Sequence, residues 1–577
     1  MSIFKIAWRS IQHRGLGSLL TICSMALGVM LVVSVLSLHG VVSESFRSNS
    51  SFGYNILVGA RGGALQLTMN TVYYLSQPVE NVPYEFYLAF CDQETRAKEM
   101  RNSFAYKSLQ NELDAIELCS TSGLGGTSLA AQLALASTEN TLAANYLHQT
   151  KTDEDGIYKY YTDVAIPLCL GDSYEIDGSD TFFRCVGTTP DFFDKLVLDI
   201  DTEEKFEFSE GGPFKTKSDE NGYFECVVGA LVAKKSGVKV GDTINPTHGD
   251  PNDSGAKVHV QGFKIVGILK GTRTPHDRAV FLNMEGFFLM EDHAKPVVDE
   301  SNPSDDFDSF DEDEPEESAE TASNDDPSDN GIDKTSPLPI EQREVTSILV
   351  RTAESEDDFD SFVYAYMLPQ KINEGELENT LGWSNFRPVM AQKAAQAINP
   401  VMEVTKFFAT FIDPVQWLLI ALTAMICIVS AISIMVGIYN SMSQRKHEIA
   451  VMRALGASRG KVMSVMLVES VLLACAGGLL GWIAGHLLNV GISDFVESRT
   501  GVGIGFLDFA PPVPIFATIH AFLLDTMGMS FLPEWLVELD FSPEFLLIPG
   551  LIILAVLVGI YPSISAYRTD VAKALGK

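Results

Sequence analysis

Basic residues are scarce in this chain: 41 Lys and Arg stand against 75 Asp and Glu over 577 residues, a formal net charge of -34. With so little positive charge to set against phosphates, no nucleic-acid partner is expected. Cysteine is also sparse, eight in all, and no pair has the short spacing of a zinc site, so no metal is expected. A Walker A loop is missing. Residues 456–461, GASRGK, have the wrong glycine gap and continue with Val462 where Ser or Thr would be needed, so the chain is not expected to be an ATPase. His148, His248, His276, His293 and His520 show no HExxH or other catalytic spacing, and His276 within TPHD reads as a loop residue. No catalytic residue, no directly bound cofactor and no enzyme activity are expected.

What is present is apolar surface, 46% of the residues, too much for a soluble protein of such charge. The two properties must be segregated along the chain. Residues 15–38 and 415–438 carry no charge in 24 positions each, and 545–567 none in 23. As helices they reach roughly 35 Å, enough to cross a bilayer core of about 30 Å. A further apolar stretch, 462–490, is interrupted by Glu469 and His486. The first run follows Lys5, Arg9 and Arg14 but is longer than a signal-peptide core and lacks a clear cleavage site, so it reads as a retained helix. Lys and Arg number three in 1–15, five in 441–461 and three in 566–577, whereas 493–544 has one against eight acids. The positive-inside rule then puts both termini and the 441–461 segment in the cytoplasm.

The expected organisation is a cytoplasmic N-terminus (1–15), a first transmembrane helix (16–40), an extracytoplasmic domain (41–404), a second helix (405–440), a cytoplasmic segment (441–461), a third helix (462–492), an outer loop (493–544), a fourth helix (545–567) and a cytoplasmic tail (568–577). The loop contains an apolar stretch at 513–531, which reads as an interfacial or domain-packed helix. In the large domain, 55–63 reads as a short strand running into a glycine turn. Strand character follows at 181–186, 223–232, 258–269, 278–282 and 345–350, with helical stretches at 94–119 and 123–148. An α+β fold results. Residues 299–333 hold 16 acids and no Lys or Arg, and are expected to be a disordered, solvated insertion in preference to a calcium site. Cys23, Cys427 and Cys475 fall in apolar spans. The odd five outside, Cys91, Cys119, Cys169, Cys185 and Cys226, are expected mostly as buried small hydrophobes.

Two short patterns carry the functional expectation. In 444–459, QRKHEIAVMRALGASR, Ile449, Met452 and Leu455 share one helical face while Arg445, Glu448 and Arg453 point elsewhere; Gly456 stops the helix and Ser458 caps the next. Such a helix can dock into a partner's cleft or lie on anionic lipid, and the pattern alone leaves both open. Gly477, Gly481 and Gly485 form a double small-xxx-small repeat that lets another helix reach backbone contact. Glu469, roughly 10 Å into its helix, is a single intramembrane acid and reads as a structural pairing partner before an ion relay.

The run RKHEIAVMRALGASRGKVMSVMLVES with the following GGLLG resembles the FtsX/MacB-like permeases of ABC transporters, including the LolC/LolE-type lipoprotein-releasing proteins. AWRSIQHRGLGSLLTICSMALGV and YPSISAYRTDVAKAL resemble the family's entry into its first span and its cytoplasmic exit. VVGALVAKKSGVKVGDTI and FKIVGILKGTRTPHDRAVFLN are similar to strand-rich pieces of the MacB-type periplasmic core domain. The resemblance implies four transmembrane helices, one N-terminal and three C-terminal, in the plasma membrane. It also implies a separate ABC ATPase subunit that uses the ATP and docks on 445–457, and a second permease chain in a homodimer or heterodimer. The implied function is mechanotransmission that exports or releases lipoproteins, peptides or amphiphiles. An FtsX-like transmitter controlling a cell-wall hydrolase is the competing implication, and a membrane-anchored ectoenzyme a third. The long 493–544 loop, the acidic insertion, the segment 195–222 and Val571 in place of the family's tail proline depart from the pattern.

Overall fold

The computed structural model describes residues 3–13, 15–48, 53–121 without 79, 129–150, 153–176, 181–198, 204–249, 256–294 without 273 and 292, 336–354, 358–374, 395–412, scattered positions of 414–436, 457–500, 503–511, 520–526 without 522, 533–537 and 542–567. The acidic segment 299–333 and the tail 568–577 lie outside them. The chain divides into two compact units, one of residues 49–404 and one joining 1–48 to 405–577.

The 49–404 unit is built on a 12-stranded sheet. In chain order the strands of the unit are β1 (Ile56–Ala60), β2 (Val82–Pro83), β3 (Thr162–Glu175), β4 (Phe182–Thr188), β5 (Phe208–Gly211), β6 (Glu225–Val228), β7 (Thr243–Ile244), β8 (Thr247–His248), β9 (Lys257–Val258), β10 (Phe263–Leu269), β11 (Ala279–Asn283), β12 (Glu344–Val345), β13 (Ser347–Thr352) and β14 (Ala395–Ile398). The main path runs β14-β1-β13-β3-β4-β11-β6-β10-β5, with β7, β8 and β9 attached beside it and β12-β2 as a separate pair. Most pairs are antiparallel; β11 with β4 and β10 with β6 are parallel. Cys169, Cys185 and Cys226 sit on three of the strands. Like Cys91 they are free and buried, and burial pushes the Cys91 thiol up to about 12.

The sheet corrects several readings. β3, its longest strand, escapes sequence inspection because Pro167, Gly171 and Asp172 break the alternation that marks a strand. The stretch 223–232 is not one strand: β6 ends at Val228 and Ala230–Ser236 is a helix. Gly229 makes the change, since a Cβ there would lie 2.5 Å from the His276 carbonyl oxygen. The stretch 94–119 is two helices, Gln93–Met100 and Phe104–Thr121. Asp92 caps the first through the Thr95 amide (2.8 Å), and the Ser103 hydroxyl accepts from the Tyr106 amide (3.1 Å) at the second. The stretch 258–269 breaks between β9 and β10, and 345–350 divides between β12 and β13 at Thr346.

His276 lies in the connection between β10 and β11, as expected of a loop residue, yet inside the unit. It lies buried in a tight turn, 3.0 Å from the Tyr74 hydroxyl through Nδ1 and ringed by Phe192, Phe206 and Phe281. Burial lowers its pKa from 6.5 to about 3. Unfolding therefore takes up a proton between those values, so the contribution is full above 6.5 and falls as pH drops toward 3, by about 1.4 kcal/mol per unit. Thermal midpoints measured across that range should slope less steeply in His276→Phe than in the wild type; equal slopes would remove His276 as the cause.

Arg343 is the largest fully buried side chain. Its Nε donates to the Leu338 carbonyl (2.6 Å), its Nη1 lies 2.9 Å from Glu285 and 3.6 Å from Glu99, and its guanidinium covers the rings of Tyr84 and Phe288. Removing Arg343 strands Glu285, 11% exposed, with little solvent, so Arg343→Ala should cost about 3–5 kcal/mol in denaturant unfolding. A loss below about 1 kcal/mol would class it with exposed ion pairs.

The second unit is mainly helical where described, with Ile3–His13, Gly15–Ser48, Arg459–Thr500 and Glu544–Tyr567 as its main elements. Among the described residues two helices are long and apolar enough to cross a membrane, Gly15–Ser43 and Gly460–Glu497; Glu544–Leu557 is a shorter apolar stretch. Of the expected span 405–440, Phe408–Ile412 forms a π-helical turn and the rest is only partly described. Most of the apolar stretch 513–531 is also outside the described residues.

Candidate functional site

The Arg459–Thr500 helix organises the helical unit. Ser458 opens it as expected, its Oγ 3.4 Å from the Lys461 amide and its carbonyl accepting from the same amide at 3.1 Å. The helix packs against Gly15–Ser48 and Glu544–Tyr567.

Gly477, Gly481 and Gly485 face the Gly15–Ser48 helix at backbone distance. A Cβ on Gly477 would sit 2.7 Å from Met25 Cβ, on Gly481 2.5 Å from the Ala26 carbonyl oxygen, and on Gly485 2.9 Å from Val33 Cβ. Met25, Val29 and Val33 are buried at the matching four-residue spacing, so the ridge of one helix fills the glycine groove of the other. Ser34 Oγ donates across the seam to the Gly485 carbonyl, 3.3 Å away. On the Glu544–Tyr567 side, Gly559 meets Ser470, and Leu551 and Ile548 approach Gly478.

Glu469 is buried, 1% exposed, and has an interaction partner. A second acid, Glu544, forms the larger polar centre. Its Oε1 accepts from Ser37 Oγ (2.5 Å) and the Ala510 amide (2.8 Å), and its Oε2 lies 3.0 Å from His486 Nε2. Trp482, Phe506 and Phe509 ring His486. Sequence inspection passed over Glu544 because it reads as the last residue of a loop. The signal was present: an acid at the mouth of a 23-residue uncharged run, with a histidine in the neighbouring span. Buried charges persist where they are paired, and this group clamps three helices and the 503–511 segment together.

Arg445, Glu448, Ile449, Met452, Arg453, Leu455 and Gly456 all lie outside the described residues, so the seam helix is where the geometry near them begins.

The FtsX-like permease C-terminal family model matches residues 420–571, a stretch that contains the basic segment, the glycine seam and Glu544. The match and the relatives below support a kinship of this chain with the FtsX/MacB-like permeases. It is 28% identical over 110 residues to the macrolide export ATP-binding/permease protein MacB of Rhodopirellula baltica, covering 19% of this chain and 16% of that protein. It is 26% identical over 112 residues to an uncharacterized ABC transporter permease of Methanocaldococcus jannaschii, covering 19% and 26% respectively. The chain thus spans well under a third of either relative.

Within the helical unit the seam tolerates no added bulk. Gly481→Leu should lower stability in detergent by about 1–3 kcal/mol, since the clash is with backbone that cannot rotate away. Gly491, with open space around it, supplies the control: Gly491→Leu leaving the midpoint as low as Gly481→Leu would show that helix flexibility, not the seam, sets the effect.

Proposed function

We propose that this chain is the membrane subunit of an ABC transporter-type complex, carrying ATP-driven motion of a separate ATPase to the 49–404 unit for the release or export of lipoproteins, peptides or amphiphiles. The observation that carries this reading is the family match across 420–571, which includes the basic segment at 444–459. In this reading the chain crosses the plasma membrane four times with both termini in the cytoplasm. A second permease chain completes the complex, and the 49–404 unit takes the role of a MacB-type periplasmic core domain. The Arg445–Met452–Arg453 surface receives the ATPase: Met452, Ile449 and Leu455 enter its cleft while the charges fix register.

The seam supports force transmission. Helices held at backbone contact and clamped by Glu544 move as one body, so a push at the Ser458 end is not absorbed by sliding side chains. Cargo recovered by cross-linking to the large unit would favour export over hydrolase control.

The test reverses charge at Arg445 and Arg453, or makes Met452→Asp, and measures co-purification of the ATPase encoded with the permease. We expect loss of at least about tenfold in recovered ATPase with membrane insertion unchanged, as for truncating a central interface anchor. Full recovery with both variants would show that docking lies elsewhere.

A further inference from the structure

Four side chains from separate segments of the 49–404 unit converge on one point: Asp172 on β3, His248 on β8, His259 just beyond β9, and His293 past the Met284–Phe288 helix. His248 Nδ1 lies 3.3 Å from Asp172 Oδ1, and His259 Nε2 and His293 Nε2 lie 3.2 and 3.3 Å from Asp172 Oδ2. The two Nε2 atoms are 3.3 Å from each other. Asp172 is fully buried and His259 nearly so, yet among the described residues neither Asp172 oxygen has a hydrogen-bond partner of proper alignment. Three ring nitrogens therefore aim at a buried carboxylate without bonding to it in the ordinary way.

That spacing has a simple source. Ligands about 2.0–2.1 Å from a tetrahedral zinc ion stand about 3.3–3.4 Å from one another, the edge of the tetrahedron. All four donor atoms lie within 4.8 Å of one another. His248, half exposed at 51%, supplies the donor on the solvent side. We propose that Asp172, His248, His259 and His293 hold one divalent cation of the zinc class. Three imidazoles and one carboxylate suit zinc, whereas calcium and magnesium take oxygen shells. Four protein donors fill a tetrahedral shell, so the site is structural.

The fold builds the site deliberately. The β3–β4 register shifts between Leu170 and Ser173, and Gly171 takes φ +147 there, a conformation glycine supplies readily. This bulge aims Asp172 at His248, its cross-strand partner on β8. Ser173 Oγ donates to the Gly249 carbonyl (2.5 Å), the His259 amide donates to the Pro246 carbonyl (2.8 Å), and the Phe287 ring meets His293 edge-on at 4.4 Å. The ion would pin the β8–β9 hairpin to β3. Through His293 it would also anchor the chain six positions before the acidic run that begins at 299, whose carboxylates concentrate cations nearby.

The test uses the full chain in detergent, purified without a histidine tag, stripped with chelator and dialysed against Zn2+. Bound zinc is counted by mass spectrometry, and Co2+ is substituted to read coordination from its visible spectrum. We expect about one tightly held zinc per chain, intense tetrahedral Co2+ bands, and affinity lowered at least about 100-fold by Asp172→Asn or His259→Gln, beyond the 10–100-fold cost of removing an outer-shell partner. His293→Cys should retain the metal and add a thiolate-to-cobalt band in the near ultraviolet, which separates loss of a ligand from loss of the fold. Equal zinc binding by the wild type and Asp172→Asn, or a weak octahedral Co2+ spectrum, would assign the metal to the acidic run and overturn the proposal.

Discussion

The helical unit depends on a distance that no side chain occupies. At Gly481 the space where a Cβ would stand is 2.5 Å from the Ala26 carbonyl oxygen. An apolar pack surrounded by apolar solvent gains little from hiding surface, so close contact and polar pairing must hold it. The glycine groove supplies the contact. By bringing the two backbones together it lets Val29 and Val33 fill the groove and Ser34 reach Gly485. Near the same seam, His486 and Ser37 come within hydrogen-bond reach of a single carboxylate on the third helix.

Both units spend burial on charge. In one, Arg343 is enclosed with Glu285 and Glu99; in the other, Glu544 is enclosed with His486, Ser37 and the Ala510 amide. Hydrophobic replacements of similar volume would stabilise as well or better, because desolvation consumes much of the Coulomb gain. What the charges add is direction. Apolar contact tolerates sliding by a turn, whereas a bidentate arrangement such as Ser37–Glu544–His486 is satisfied in one register only. For a subunit whose proposed task is to pass on motion, fixed register has more use than extra stability.

Legibility in the sequence follows the range of the interactions. The apolar helices Gly15–Ser43 and Gly460–Glu497 were readable because a bilayer-length run is a local property. The caps at Asp92 and Ser458 are local too, although the Asp92 cap was passed over and with it the division of 94–119. The central strand was not readable. β3 is a strand because neighbours on both sides complete its hydrogen bonds, with Leu349 opposite Ile166 and Gly187 opposite Cys169, and that support overrides Pro167 and the bulge at Gly171. The burial of His276 was not readable for the same reason: the rings that bury it arrive from Phe192, Phe206 and Phe281.

The histidine cluster sharpens that limit. Metal-ligand spacing rules work where one loop or one helical turn supplies two donors, since only then is sequence separation a proxy for distance. In a sheet the proxy fails, because Asp172 and His248 are Cα partners across a ladder although far apart in the chain. His259 carries no motif at all; it becomes a candidate only when the β8–β9 pairing sets Thr247 opposite Val258 and turns the following residue back toward β3. Sites of this kind are written in strand register, and a chain with no local metal motif can still bring three donors to the edge length of a zinc tetrahedron and a fourth within 4.8 Å of them.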